Sequence, residues 1–226
     1  MKIIILFFMM TVLILAQNYK VVQVKGDVKF QTGTAEEWNQ LKEGIELSAN
    51  NFISTGEKSS VQLKGIENSF TLGEMSAVSL GSIKSMSTDE LLLALAMEDM
   101  INVPKPNGKN NSSSTAAYGE EEKGEKQDET RTNNFSIMRL NGAMQLAKSG
   151  MKESSIVFAK ETYRKYPETK RNTSYRIFFA DILYEKGLFE EALSEYFEIE
   201  KLDLTNEEKT KVEARVNSIN KILLNN

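Results

Sequence analysis

Residues 19–30, Tyr-Lys-Val-Val-Gln-Val-Lys-Gly-Asp-Val-Lys-Phe, decide how the first half of the chain folds. Val22 and Val24, then Val28 and Phe30, alternate with Gln and Lys. An apolar period of two puts one face of a strand on a core and the other in water. Gly26-Asp27 interrupts the run as a hairpin turn would. The alternation returns at Val61 and Leu63, at Phe70 and Leu72, and at Val78 and Leu80. Gly44, Gly56, Gly65 and Gly73 punctuate it at the spacing of a small sandwich or roll. Residues 19–86 are therefore expected to form a small all-β domain.

Downstream the period changes. Residues 88–101 include Leu91, Leu92, Leu93, Leu95, Met97, Met100 and Ile101, and predict a helix apolar on nearly every side, which must dock on something. Residues 102–134 are polar, charged and low in apolar content, the composition of a flexible linker. Residues 135–226 are helical and internally repeated. Arg139, Ala143, Leu146 and Gly150 return 37 residues later as Arg176, Ala180, Leu183 and Gly187. Small Ala143 and Ala180 allow close helix approach, and Gly150 and Gly187 each end a helix. Partner helices are expected at Glu153 to Tyr166 and Leu188 to Leu202. A last helix opens at Thr205, with Glu208 completing a capping box and Val212, Val216, Ile219 and Leu223 forming a stripe. The fold class is α+β as separate, independently folding domains: an all-β sandwich or roll, then an all-α helical repeat.

The N-terminus has the form of an address. Lys2 precedes the apolar run from Ile3 to Leu15, and Ala16 offers a small residue for cleavage. A run of that length is short against the roughly 20 residues that span a bilayer. Residues 1–16 are expected to be a cleaved signal peptide, leaving no stable membrane span and a protein in the periplasm or otherwise outside the cytoplasm. The formal net charge of −4 provides no broad positive field for nucleic acid, which is excluded as a partner. There is no cysteine and no histidine. That removes disulfides, thiolate metal sites and the commonest general base and transition-metal ligand. No catalytic, cofactor or metal site is expected.

The β segment resembles the FecR-like domain. The resemblance is carried by Gly26-Asp27-Val28, Trp38, Leu41, Gly44, Leu47, Ile53-Ser54-Thr55-Gly56, Ser59-Ser60-Val61-Gln62-Leu63, Phe70-Thr71-Leu72 and Met75 to Leu80. Glu67-Asn68-Ser69 stands where the family has an Asp-Gly-Ser turn. It implies a bacterial extracytoplasmic all-β module without catalytic activity. The tail is similar to tetratricopeptide repeats. Ala143, Gly150 and Pro167 fall on that pattern in the first unit, and Ala180, Gly187 and Ala192 in the second. This resemblance implies a cofactor-free scaffold that holds proteins or peptides in a concave groove. On that pattern Ile137, Leu140, Met144, Ile177, Asp181 and Tyr184 face the groove, and the terminal helix caps the end of the stack.

Trp38 has two readings, a stacking platform for sugar or peptide and a packing anchor, and packing is the expected role. Adjacent Glu36 and Glu37, with Asp27, do not form the facing pair a glycosidase needs and are expected as solvated charge. The leading functional expectation is a non-enzymatic envelope adaptor or scaffold. Its partner would be a protein or peptide, with peptidoglycan or polysaccharide as further candidates. The alternatives are a ligand-sensing or regulatory module of a FecR-type signalling system, and an envelope hydrolase.

Overall fold

The structure, a computed structural model, describes residues 18–33, 37–66, 69–102 and 126–225. The signal segment expected at 1–16, Glu36, the Glu67-Asn68 part of the turn and residues 103–125 of the linker lie outside the described residues.

Eight strands form two antiparallel sheets of four. They are β1 (Asn18–Lys25), β2 (Val28–Thr32), β3 (Asn39–Gln40), β4 (Glu46–Ser48), β5 (Asn51–Thr55), β6 (Ser60–Lys64), β7 (Ser69–Leu72) and β8 (Ser76–Ser79). One sheet runs β4-β1-β6-β7 and the other β3-β2-β5-β8. The alternation at Leu63, Phe70, Leu72 and Val78 delivers these side chains to the core, fully buried, beside Tyr19, Val28 and Ile53. The Tyr19 hydroxyl donates to the Ile83 carbonyl, which ties β1 to the segment after β8.

Two expectations for residues 19–30 need correction. Gly26-Asp27 is not a hairpin turn, because β1 and β2 belong to different sheets. Gly26, at φ +75°, lets the chain cross from one sheet to the other, and a Cβ there would lie 2.4 Å from Ser59 Oγ. The Asp27 N–H donates to Ser59 Oγ at 2.8 Å and the Gly56 N–H to the Asp27 carbonyl at 2.8 Å, so the crossing is held by the β5–β6 connection. Val22 is exposed, because the pairing of β1 with β6 slips between Val21 and Gln23. A bulge adds one residue and shifts the side-chain phase. Tyr19 and Val21 therefore point inward before it, and Val24 packs on the core after it.

Six α-helices follow among the described residues: α1 (Thr88–Asn102), α2 (Lys126–Lys148), α3 (Lys152–Lys165), α4 (Thr173–Glu185), α5 (Phe189–Ile199) and α6 (Asn206–Leu224). The predicted linker, 102–134, overruns the start of α2, which begins at Lys126. Gly150 and Gly187 end α2 and α4 at φ +88° and +76°. The capping box of α6 forms as expected, Thr205 accepting from the Glu208 N–H and Glu208 accepting from the Thr205 N–H.

The β and α regions are packed against each other. Helix α2 lies against β8, and one hydrophobic core runs from Tyr19 in β1 to Ile219 in α6. Gly142 makes this possible, since a Cβ there would come within 2.1 Å of the Ala77 carbonyl oxygen. On either side of that contact Asn141 donates to the Met75 carbonyl at 2.7 Å. Gln145 accepts from the Gly73 N–H at 2.6 Å and donates to Ser76 Oγ at 2.6 Å. Backbone groups at the end of β7 and the edge of β8 thus find partners in α2. Trp38 closes one end of the seam as a packing anchor, edge-on to Phe52 at 6.3 Å and to Phe135 of α2 at 5.7 Å. The Arg139 guanidinium sits over Phe52 and Phe158 at 5.0 and 4.5 Å, a buried cation sandwiched between rings of the two regions.

Candidate functional site

The six residues expected to line a concave groove lie on α2 (Ile137, Leu140, Met144) and α4 (Ile177, Asp181, Tyr184), two of them buried and four partly exposed. Leu140 and Ile177 are buried in the core, and Ile137 and Met144 pack against it. Asp181 accepts from Arg215 Nε at 2.9 Å and Tyr196 at 2.7 Å, and pairs with Lys211 at 2.6 Å. Tyr184 shares a 3.0 Å hydrogen bond with Ser218, and its ring lies 4.4 Å from the Arg215 guanidinium. Helix α6 thus lies across the α4 half of the groove rather than only capping the end of the stack. The α2 half carries Asn141, which donates to the Met75 carbonyl next to β8 and accepts from the Tyr175 hydroxyl of α4. With only two repeats, the sheet on one side and α6 on the other supply the burial that further repeats would give. Leu140 and Ile177 are thus core residues, while Ile137, Met144, Asp181 and Tyr184 stay partly exposed.

The open surface lies on the other side of the helical layer. Helix α1 docks on α3 through Leu91, fully buried, and through Glu98, which accepts from Arg164 at 2.7 Å. The opposite side of α1 carries Leu93, Met97, Met100 and Ile101, each 56–76% exposed. Spacings of four, three and one residue put these four side chains on one face. Among the described residues, the expectation that 88–101 must dock is met on one side only.

Beside α1 the helices α3, α4 and α5 enclose a cleft of about 480 Å³. Leu95 of α1 and Leu183 of α4 provide its apolar walls. Glu195 of α5 lies at its floor between Lys160, whose ammonium it binds, and Arg176, whose Nη2 donates at 3.0 Å. Burial pushes the Glu195 carboxyl up, but the two cations overcome this and hold it below the usual carboxylate range. Arg176 matches Arg139 in the repeat, and each reaches the helix that follows its own: Arg139 bonds Thr162 of α3, Arg176 bonds Glu195 of α5. Tyr163 also lines the cleft. Its hydroxyl is buried without a hydrogen-bond partner among the described residues, as is Arg176 Nε. Burial raises the Tyr163 phenol far above its ordinary value, with Glu195 adding to the effect.

The cleft escaped sequence reasoning because Arg176 and Tyr163 read there as repeat and core positions. The available signal was a charged residue at a core register in both repeats. Among the described residues, no three Asp, Glu, His or Cys side chains converge to hold a metal ion. Comparison with protein-family models, with curated proteins and with solved structures finds no match for this chain.

Proposed function

We propose that the protein is a non-enzymatic adaptor of the bacterial cell envelope whose partner docks on the outer face of α1. One observation carries this reading: α1 is apolar on two opposite sides, and among the described residues only the Leu91 side is covered. A helix of that kind is stable in water only when both faces are buried. Side chains such as Leu and Met gain about 1.5–3 kcal/mol each on full burial, so four of them on one face favour an occupant.

Charge selects the occupant. Helix α1 carries Asp89, Glu90, Glu98 and Asp99 and no lysine or arginine. An anionic bilayer, or a second copy presenting the same helix, would bring like charge against it. The partner in this reading is a protein segment with an apolar helical face flanked by Lys or Arg. The extracytoplasmic location rests on Lys2, the Ile3 to Leu15 run and Ala16. The described helices are compatible with it, none being long and apolar enough to cross a membrane. The FecR-like reading of the β region is supported by its two antiparallel sheets, and the tetratricopeptide-like reading by the glycine-ended helix pairs.

The test is a photo-reactive residue at Met97 in cells of the native host. The expected product is an adduct with one envelope protein, mapped to a basic apolar segment. The adduct disappears in Leu93→Glu/Met100→Glu while the melting temperature stays unchanged. Adducts only to lipid, or only to a second copy, would sink the adaptor reading.

A further inference from the structure

We propose that Met97 and Met100 form a reversible oxidation site that switches off the outer face of α1 as a docking surface. The proposal rests on the docking reading of α1 and adds its regulation.

Three observations converge on it. First, among the described residues sulfur is most open to solvent here. Met97 and Met100 are 56% and 76% exposed, whereas Met75, Met86, Met138 and Met144 are half-buried and Met151 is 6% exposed. Oxidation of a thioether follows its access to the oxidant, so these two sulfurs react first. The chain has no cysteine, and methionine therefore carries all of its sulfur. Second, the two sit at the centre of the apolar patch. Met97 lies about one turn from Leu93 on one side and from Ile101 on the other, and Met100 stands beside Met97 and Ile101. Third, shape does not explain the choice of methionine. Leucine serves α1 at Leu91 on the docked side and at Leu93 on the outer one. It has nearly the same helix propensity as methionine and replaces it in packing at little cost. What methionine adds is the sulfur.

The chemistry balances with hydrogen peroxide as the oxidant. The sulfur lone pair attacks one peroxide oxygen, the O–O bond breaks and an S–O bond forms. The proton on the attacked oxygen passes to the departing one, which leaves as water. Sulfur loses two electrons and the peroxide gains them. The product is a polar sulfoxide in the middle of a face that an apolar helix must cover. Burying that oxygen without a donor weakens docking by about tenfold or more for each sulfoxide. A methionine sulfoxide reductase drawing two electrons from a dithiol returns the thioether and releases the oxygen as water, so the switch resets.

Peptide mass mapping of the full chain during hydrogen peroxide treatment tests the site. Photo-crosslinking from a photo-reactive residue at Leu93, in envelope extracts of the native host, tests the switch. Met97 and Met100 are expected to gain one oxygen each before the other methionines do, with the melting temperature unchanged. The oxidised chain should lose its adduct to the basic apolar segment, and methionine sulfoxide reductase with dithiothreitol should restore it. Met97→Leu/Met100→Leu should keep the adduct through the same peroxide treatment. Oxidation spread evenly over all methionines overturns the site. An adduct that survives oxidation of both sulfurs overturns the switch, as does one lost from the leucine variant as readily as from wild type. No adduct from the untreated chain overturns the docking reading itself, and the switch with it.

Discussion

Gly142 shows how much a single missing methyl decides. In an exposed helix interior, Gly→Ala stabilises by roughly 1 kcal/mol, because alanine has the better helix propensity. Here the added Cβ would lie 2.1 Å from the Ala77 carbonyl oxygen, which is backbone and cannot swing away. Overpacking of this kind costs about 1–3 kcal/mol or more. Gly142→Ala is therefore expected to lower stability, with a melting temperature down by several degrees at about 2–4 °C per kcal/mol. A rise in melting temperature would show that α2 does not press on β8. Asp181 makes a second residue-scale case. Burial pushes its carboxyl up, but hydrogen bonds from Lys211 and Tyr196, with the charges of Lys211 and Arg215, hold it below its usual 3.8. A depressed carboxyl contributes stability that is present above the unfolded pKa and is lost as pH falls through the folded one. Asp181→Asn should therefore melt below wild type at neutral pH, and the gap should close as the pH drops below 3.8. A constant gap at every pH would mean that charge is not what holds α4 to α6.

At the scale of elements, sequence legibility followed the strength of periodic signals. The strands at Val61–Leu63, Phe70–Leu72 and Val78 were readable because one of their faces is buried. So were the paired helices, because Gly150 and Gly187 end two of them in the same register. The bulge at Val22 was not readable, since a period-2 pattern looks regular whether or not one residue slips out of phase. The docking of α2 on β8 was hidden too, because it uses Asn141 and Gln145, polar residues that read as helix surface. One signal was available: Gly142, a helix-weakening residue in mid-helix, marks a close approach. The surroundings of the groove positions were hidden for a related reason. A repeat pattern assigns faces within the stack but not what lies over them, and Asp181 and Tyr184 are bonded to α6. Removing residues 206–226 should therefore uncover Tyr184 and the Ile177 side of α4. The truncated chain is expected to self-associate or bind a hydrophobic dye, and sedimentation velocity would measure the first. A truncated chain that stays monomeric, dye-silent and equally stable would show α6 to be dispensable packing.

At the scale of the whole molecule the question is whether the β and α regions unfold together. Residues 103–125, which join α1 to α2 in sequence, argue for independence if composition alone is considered. The packing argues the other way. The seam uses the Gly142–Ala77 contact, three side-chain hydrogen bonds from Asn141 and Gln145, and a ring cluster running from Trp38 through Phe52 and Phe135 to Tyr166. Arg139 lies within that cluster, and burial pushes its guanidinium below the ordinary range while Glu161 opposes the shift. Separating the regions would leave Phe52, Phe135 and Phe158 facing water and strip the rings from the charge. Exposing such rings costs about 1.5–3 kcal/mol each, enough to couple the two halves when total stability is about 5–15 kcal/mol. The protein supplies its own probe of this, because Trp38 is its only tryptophan and stands at the seam. In a urea titration, Trp38 emission reports the seam while circular dichroism at 222 nm is dominated by the helices. The two curves are expected to coincide in one transition, the mark of cooperative unfolding. Arg139→Met, which keeps an apolar stem and removes the charge, should shift both midpoints together. If emission changes at a lower urea concentration while the helical signal persists, the seam opens first and the chain is two folding units after all.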